Sequence, residues 1–158
     1  MRIRLLAVGR VRDPSLRRAC DGYASRIGRY LRFVADETRD AGRPDTDADA
    51  ARRSEAQTLL RSVGSSDVVV ALTRAGEAVT SEGLAHRLEG WQVAARDVSF
   101  VIGGAHGLAD SVLERADVQL SLSAFTLTHE LARLVLLEQL YRACTILRGE
   151  PYHKGSGR

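Results

Sequence analysis

The residues best suited to chemistry lie in the last third of the chain. Gly103 and Gly104 end an apolar run, Val98 to Ile102. A glycine pair there lets bare backbone N–H groups approach a ligand closely. Ser121, Ser123 and Thr126 add hydroxyls, the last two within a small-residue stretch from Ser123 to Thr128. His129, Arg133 and Arg142 follow on one helical stretch, and His129 and Arg133, four residues apart, share a face. In the tail, Tyr152, His153 and Lys154 set an aromatic ring beside basic groups, the combination that a stacked base and a phosphate need. The pattern suits a pocket for a nucleotide-like ligand and a surface for RNA. Singly, each feature has a plainer reading. A glycine pair makes an ordinary turn, Glu138 and Arg142 make a helix-stabilising pair, and a terminus is usually disordered.

Positioning these groups takes an alternation of strands and helices, which predicts a parallel α/β sheet. Strands are expected at Ile3–Val8, around Leu31–Ala35, and at Val68–Leu72, Val98–Ile102 and Val118–Leu122. The unalternated, β-branched run Val68–Leu72 reads as a central strand. Asp13 and Pro14 start a helix whose inner face is Leu16, Cys20, Tyr23 and Ile27 and whose outer face carries Arg17, Arg18, Arg26 and Arg29. The polar stretch Glu37 to Asp49 reads as a mobile loop, a lid over 38–49. A helix from about Ala50 to Val63 turns Leu59 and Leu60 inward. Thr73 to Ala78 reads as a loop leaving the third strand, and Thr80 or Ser81 caps a helix that buries Leu84, Leu88 and Trp91. The last helix, His129 to Leu147, has Thr128 as its cap and Glu130 in its first turn. Gly149 stops it and Pro151 prevents its resumption. Three loops, after the third, fourth and fifth strands, thus share the sheet edge where ligands of open parallel sheets sit. The final helix is apolar nearly all round, so it wants burial on two sides, by the sheet and by a second copy of the chain.

The 158 residues fit one domain with a real core. Lys and Arg number 23 against 20 Asp and Glu, a mild excess that permits a nucleic-acid partner without demanding one. No run is long enough for a membrane span, and the N-terminus is too quickly charged for a signal peptide. Cys20 and Cys144 fall at apolar helix positions, as buried free thiols in a reducing cytoplasm. The four histidines and two cysteines show no metal-ligand spacing. The turn after the first strand, Val8-Gly9-Arg10-Val11-Arg12, holds one glycine, which disfavours a dinucleotide-binding Rossmann dehydrogenase or common methyltransferase. No phosphate-loop lysine motif occurs, and a small hydrolase would need a nucleophile elbow or metal cluster.

Four segments together resemble one family: Phe100-Val-Ile-Gly-Gly-Ala-His-Gly-Leu108, Leu120-Ser-Leu-Ser-Ala-Phe-Thr-Leu-Thr-His129, the run Leu137-Glu-Gln-Leu-Tyr-Arg-Ala143, and Pro151-Tyr-His-Lys154. They are similar to the RlmH family of 23S rRNA (pseudouridine-N3) methyltransferases, in the SPOUT superfamily, over essentially the whole chain. The resemblance implies an α/β sheet with a C-terminal trefoil knot, a device that periodicity cannot reveal. It implies S-adenosylmethionine bound by Leu72, Gly103, Gly104 and the stretch Leu122, Ser123, Ala124, Phe125, Thr126 and Leu127. It implies a homodimer in which one tail completes the partner's site. Arg142, Tyr152, His153 and Lys154 are then the substrate-side residues, with His129 and Arg133 in support. The target implied is a pseudouridine in a hairpin loop of 23S rRNA on the assembled ribosome.

Two departures stand out. Thr128 occupies a position where relatives commonly have proline. Lys154 stands where arginine is common, keeping the charge and losing the planar fork. On this reading His153 is the candidate base, histidine ordinarily titrating near neutrality. The alternative is that no side chain takes the proton and nearby cations lower the pKa of the nucleobase itself. A non-catalytic ribosome-binding or assembly factor is the competing class. It would bind RNA without binding S-adenosylmethionine.

Overall fold

Five apolar runs become the five strands of one parallel sheet in the computed structural model, which describes residues 1–42 and 47–152. They are β1 (Arg2–Val8), β2 (Arg32–Thr38), β3 (Val68–Ala78), β4 (Val98–Ile102) and β5 (Val118–Ser121). The order is β2-β1-β4-β3-β5. Every residue of β4 is buried, as befits the middle strand.

Alternate side chains serve two cores. Ile3, Leu5, Val70, Val98 and Phe100 meet α1 (Pro14–Ile27), α3 (Ser81–Val93) and α5 (His129–Leu147) on one face. Leu6, Val8, Val69 and Val101 meet α2 (Ala48–Ser62) and α4 (Asp110–Arg115) on the other. Local chemistry starts the helices where expected. Asp13 Oδ1 accepts the Ser15 and Leu16 N–H groups at 2.7 and 2.9 Å, and Thr128 Oγ1 accepts from Leu131 at 3.3 Å. Thr80 rather than Ser81 caps α3, accepting the Gly83 N–H. Ser81 instead bonds to Gln139 of α5.

Two expectations need correction, and two features add to the reading. Strand β3 does not end at Leu72. It loops outward and resumes, so that Leu72 and Glu77 both pair with Leu120. Gly76 permits the return, since a β-carbon there would lie 2.5 Å from the Leu120 carbonyl carbon. The stretch Glu37 to Asp49 is not wholly a loop, because Glu37 and Thr38 belong to β2 and Asp49 to α2; residues 43–46 of the supposed lid lie outside the described residues. The short helix α4 was not anticipated. Finally, the apolar girdle of α5 is consumed largely within the chain. Leu136, Leu137 and Leu140 are buried, at about 1.5–3 kcal/mol each, and the helix packs against α1 and α3 as well as the sheet. Leu131 and Leu147 are left exposed.

Both cysteines are free and buried. No helix among the described residues is long and apolar enough to cross a membrane.

Candidate active site

A cavity of about 370 Å³ opens beside the bulge of β3 and the carboxyl ends of β4 and β5. Its walls come from three segments: Leu72 to Arg74 in the β3 bulge, Ile102 to Leu108, and Ser121 to Leu127, closed by His129 and Ala132 of α5. Of the residues expected to hold the cofactor, Leu72, Gly103, Gly104, Leu122, Ser123, Phe125, Thr126 and Leu127 all line it. Ala124 does not.

The glycine pair earns its place for two different reasons. A β-carbon on Gly103 would sit 2.6 Å from both the carbonyl carbon and the oxygen of Gly107, inside the turn's own backbone. One on Gly104 would press on Val8 and on the carboxylate of Glu55, each at 3.1 Å. The turn closes with a bond from the Gly107 N–H to the Gly104 carbonyl, and Gly107 takes φ +78°, a conformation glycine adopts freely. The third exit is shaped by its own serines: Ser121 donates to the Ser123 carbonyl, and Ser123 Oγ accepts the Phe125 N–H. Phe125 itself is 81% exposed at the mouth.

His129 faces this cavity, beside Gly9, with the Asp40 side chain on the same flank of that glycine. Arg133 does not join it. It is 4% exposed, pairs with Glu37 at 2.5 Å and donates to the Gly9 carbonyl at 2.8 Å. Arg133 therefore clamps the ends of β1 and β2, outside the lining of this cavity, although it shares a helix with His129. Glu130 has a similar structural duty, accepting the Arg12 and Asp13 N–H groups ahead of α1.

The remaining candidates gather at the other end of α5. Arg142 donates through Nε and Nη2 to Glu138 Oε1, at 3.0 and 2.7 Å, and its guanidinium lies 4.9 Å over the Tyr152 ring. Glu138 holds the Arg142 pKa above the usual arginine value. Tyr152 donates to the same carboxylate and meets the Tyr23 hydroxyl at 3.3 Å. Burial, then Tyr23 and Glu138, push the Tyr152 phenol well above its ordinary range. Tyr141 meets Tyr30 and Tyr152 edge-on and Tyr23 at a tilt, Arg26 lies over Tyr23 and Tyr141, and Tyr30 donates to Glu150. Sequence reasoning singled out Arg142 and Tyr152 here but missed Tyr23, Tyr30 and Arg26, whose only local signal was their place on or beside the first helix. His153 and Lys154 lie outside the described residues.

Arg142 is thirteen residues beyond His129 on one straight element, a rise of about 20 Å. A single chain thus separates the pocket from the cation and ring meant to work in it. Among the described residues, no group of His, Cys, Asp and Glu could hold a metal ion.

Comparison with known proteins places these features in context. Residues 1–153 match the family described as "Predicted SPOUT methyltransferase". A ribosomal RNA large subunit methyltransferase H from Anaeromyxobacter dehalogenans is 51% identical over 98% of this chain and 100% of its own length. One from Gloeobacter violaceus is 45% identical, again over 98% of this chain and 100% of its own. Among solved structures, a probable methyltransferase from Bordetella pertussis shares the fold at a TM-score of 0.56 and 16% identity, covering 90% of this chain and 94% of that one. A probable methylase family protein from Haemophilus influenzae gives 0.57 at 12% identity, covering 99% and 72%.

Proposed function

The chain belongs to the SPOUT methyltransferase family, and on that footing we propose that it methylates N3 of a pseudouridine in 23S rRNA, on the assembled ribosome in the cytoplasm, with S-adenosylmethionine as donor. The observation that carries this reading is the convergence of the β3 bulge and the exits of β4 and β5 on one glycine-lipped pocket. The shared description of its relatives supports the large-subunit rRNA as substrate. The family's trefoil knot belongs to the same proposal.

S-adenosylmethionine supplies a methyl group already activated by its sulfonium. The pocket fits such a ligand: about 370 Å³ falls within the usual size of small-molecule sites. Leu72, Leu122 and Leu127 offer apolar walls to an adenine. The main chain of Gly103, Gly104 and Ser123 to Thr126 offers polar contacts at a place where backbone can approach.

Methylation at N3 requires the base to be aligned and its N3 proton removed. Alignment can lower the barrier by ~7–11 kcal/mol at best. Arg142, kept charged by Glu138, and Lys154 stabilise the imide anion as it develops. Tyr152 stacks on or positions the nucleobase, and His153 takes the proton. His129 shapes the pocket's rim. Since Arg142 stands about 20 Å along α5 from His129, these groups reach the pocket from a second copy of the chain, and the working unit is a homodimer.

The test is to incubate purified protein, S-adenosylmethionine and ribosomes lacking the modification, and then to analyse the rRNA by mass spectrometry. One new methyl on a single pseudouridine is expected. Ribosome binding with no transfer, and no S-adenosylmethionine binding by calorimetry at millimolar cofactor, would make the protein an assembly factor instead. Near-full single-turnover rate in His153→Ala would remove His153 from the role of base.

A further inference from the structure

Glu55 has no part in the reaction as proposed, yet it is 5% exposed inside the protein. It lies on α2, on the sheet face opposite α5. Its Oε1 accepts the Ala41 N–H at 3.2 Å. Its Oε2 is buried with no hydrogen-bond partner among the described residues. The carboxylate lies against the Gly104 α-carbon: a β-carbon there would meet Oε2 at 3.1 Å and Oε1 at 3.2 Å. Burial pushes the Glu55 pKa up and Asp40 adds to this, while the Ala41 N–H and, more weakly, His106 and the Gly104 N–H pull it down. A buried carboxylate is costly to keep, and an apolar residue of similar size would pack there more cheaply. An apolar residue could neither hold the Ala41 N–H nor set oxygen against the turn.

We propose that Glu55 is a positioning residue for the cofactor pocket: seated beneath Gly104 and bonded to Ala41, it sets the height of the Gly103–Gly107 turn and ties that turn to the chain leaving β2. The inference rests on reading the pocket as the S-adenosylmethionine site. The tied segment is well placed to matter. Asp40, the neighbour of Ala41, flanks Gly9 next to His129, so the support reaches from the glycine turn to the pocket's rim.

Calorimetry and steady-state kinetics on the full chain test it. Glu55→Ala raises both the Kd and the KM for S-adenosylmethionine about tenfold, the effect of one lost buried hydrogen bond, with kcat nearly unchanged. Glu55→Gln keeps an acceptor for Ala41 and recovers most of the affinity. Leu59→Ala, four residues on and buried in the core on the same face, lowers the melting temperature and leaves Kd alone. A Kd for Glu55→Ala within about twofold of wild type, below the cost expected of a lost buried hydrogen bond, overturns the proposal. So does an equal loss in Leu59→Ala, or a Glu55→Gln no better than the alanine variant.

Amide exchange on the unaltered chain needs no variant to fold. Cofactor binding slows exchange at Ala41, which does not line the pocket; unchanged exchange there overturns the proposal too. Faster Gly107 exchange in ligand-free Glu55→Ala, in a protein whose wild type binds no S-adenosylmethionine, would sink the pocket reading while leaving Glu55 as the seat of the turn.

Discussion

At the His129 end of α5 the walls are mostly main chain: a glycine pair of which Gly103 packs against other backbone, a self-bonded serine loop, and a bulged strand that folds back on Leu120. At the Arg142 end the structure is side chain throughout, with four tyrosines, two arginines and two glutamates touching ring to ring and donor to carboxylate. The first arrangement recognises mainly by shape. The second carries charge, and its rings and ions are set by partners contributed from α1 and the tail. A cofactor that is always the same suits a rigid mould. A nucleobase to be stacked and neutralised, as proposed, suits rings and ions.

That contrast can be broken at its weakest point first. Arg133 is a side-chain clamp at the backbone-built end, so Arg133→Ala leaves Glu37 without its ion partner and should cost about 3–5 kcal/mol of stability in denaturant unfolding. A loss below about 1 kcal/mol would show that the main chain holds itself. Arg142→Ala is expected to lower kcat by about 10²–10³ while leaving the S-adenosylmethionine Kd untouched. A changed Kd would mean the two ends are not independent within one chain. Gly103→Ala should do the reverse, weakening cofactor binding by ~1–3 kcal/mol with the tyrosine cluster intact by near-ultraviolet dichroism.

Mixing these two impaired variants, at a cofactor concentration too low to saturate Gly103→Ala, sharpens the contrast further. If each pocket draws its cation from the partner, half the dimers are mixed and hold one intact site of two. Activity should then recover to about a quarter of wild type. No recovery would place pocket and cation in the same chain. The smallest effect concerns Cys144, whose thiol burial pushes up to about 11. The folded state keeps this thiol neutral where the unfolded chain would ionise it. Stability is therefore fully present below the ordinary thiol value of 9.0 and is lost as pH rises from there toward 11. Cys144→Ala should flatten that slope in melts taken across the range.

How much of this could be read from residues alone depended on distance along the chain. Asp13 with Pro14, and Thr128 before His129, announce helix starts because the cap and its N–H partners lie within three residues of each other. The strand β4 is legible because a run of five residues, four of them apolar, between Asp97 and two glycines has few other fates. Two walls of the pocket followed from β4 and β5 ending on one edge; the third is the bulge of β3, where a loop leaving the strand is expected. What escaped was long-range. Arg133 looked like a neighbour of His129, and nothing nearby reveals that its partner is Glu37, 96 residues earlier. Tyr23 and Tyr152 meet across 129 residues. The return of β3 after Leu72 was hidden because Gly76 signals a turn locally, and only Leu120 opposite it explains why a bare α-carbon is needed.

α5 behaves as a measuring rod. Its nineteen residues set the gauge between the mould and the ring cluster, and in an antiparallel pair of chains that gauge would register one protomer's tail on the other's cavity. One residue added mid-rod would advance the far end by about 1.5 Å and swing it by about 100°. Tyr152 and Arg142 would then point away from their target with every contact in the pocket still in place. The helix's length is accordingly expected to tolerate substitution of its residues far better than any change in their count.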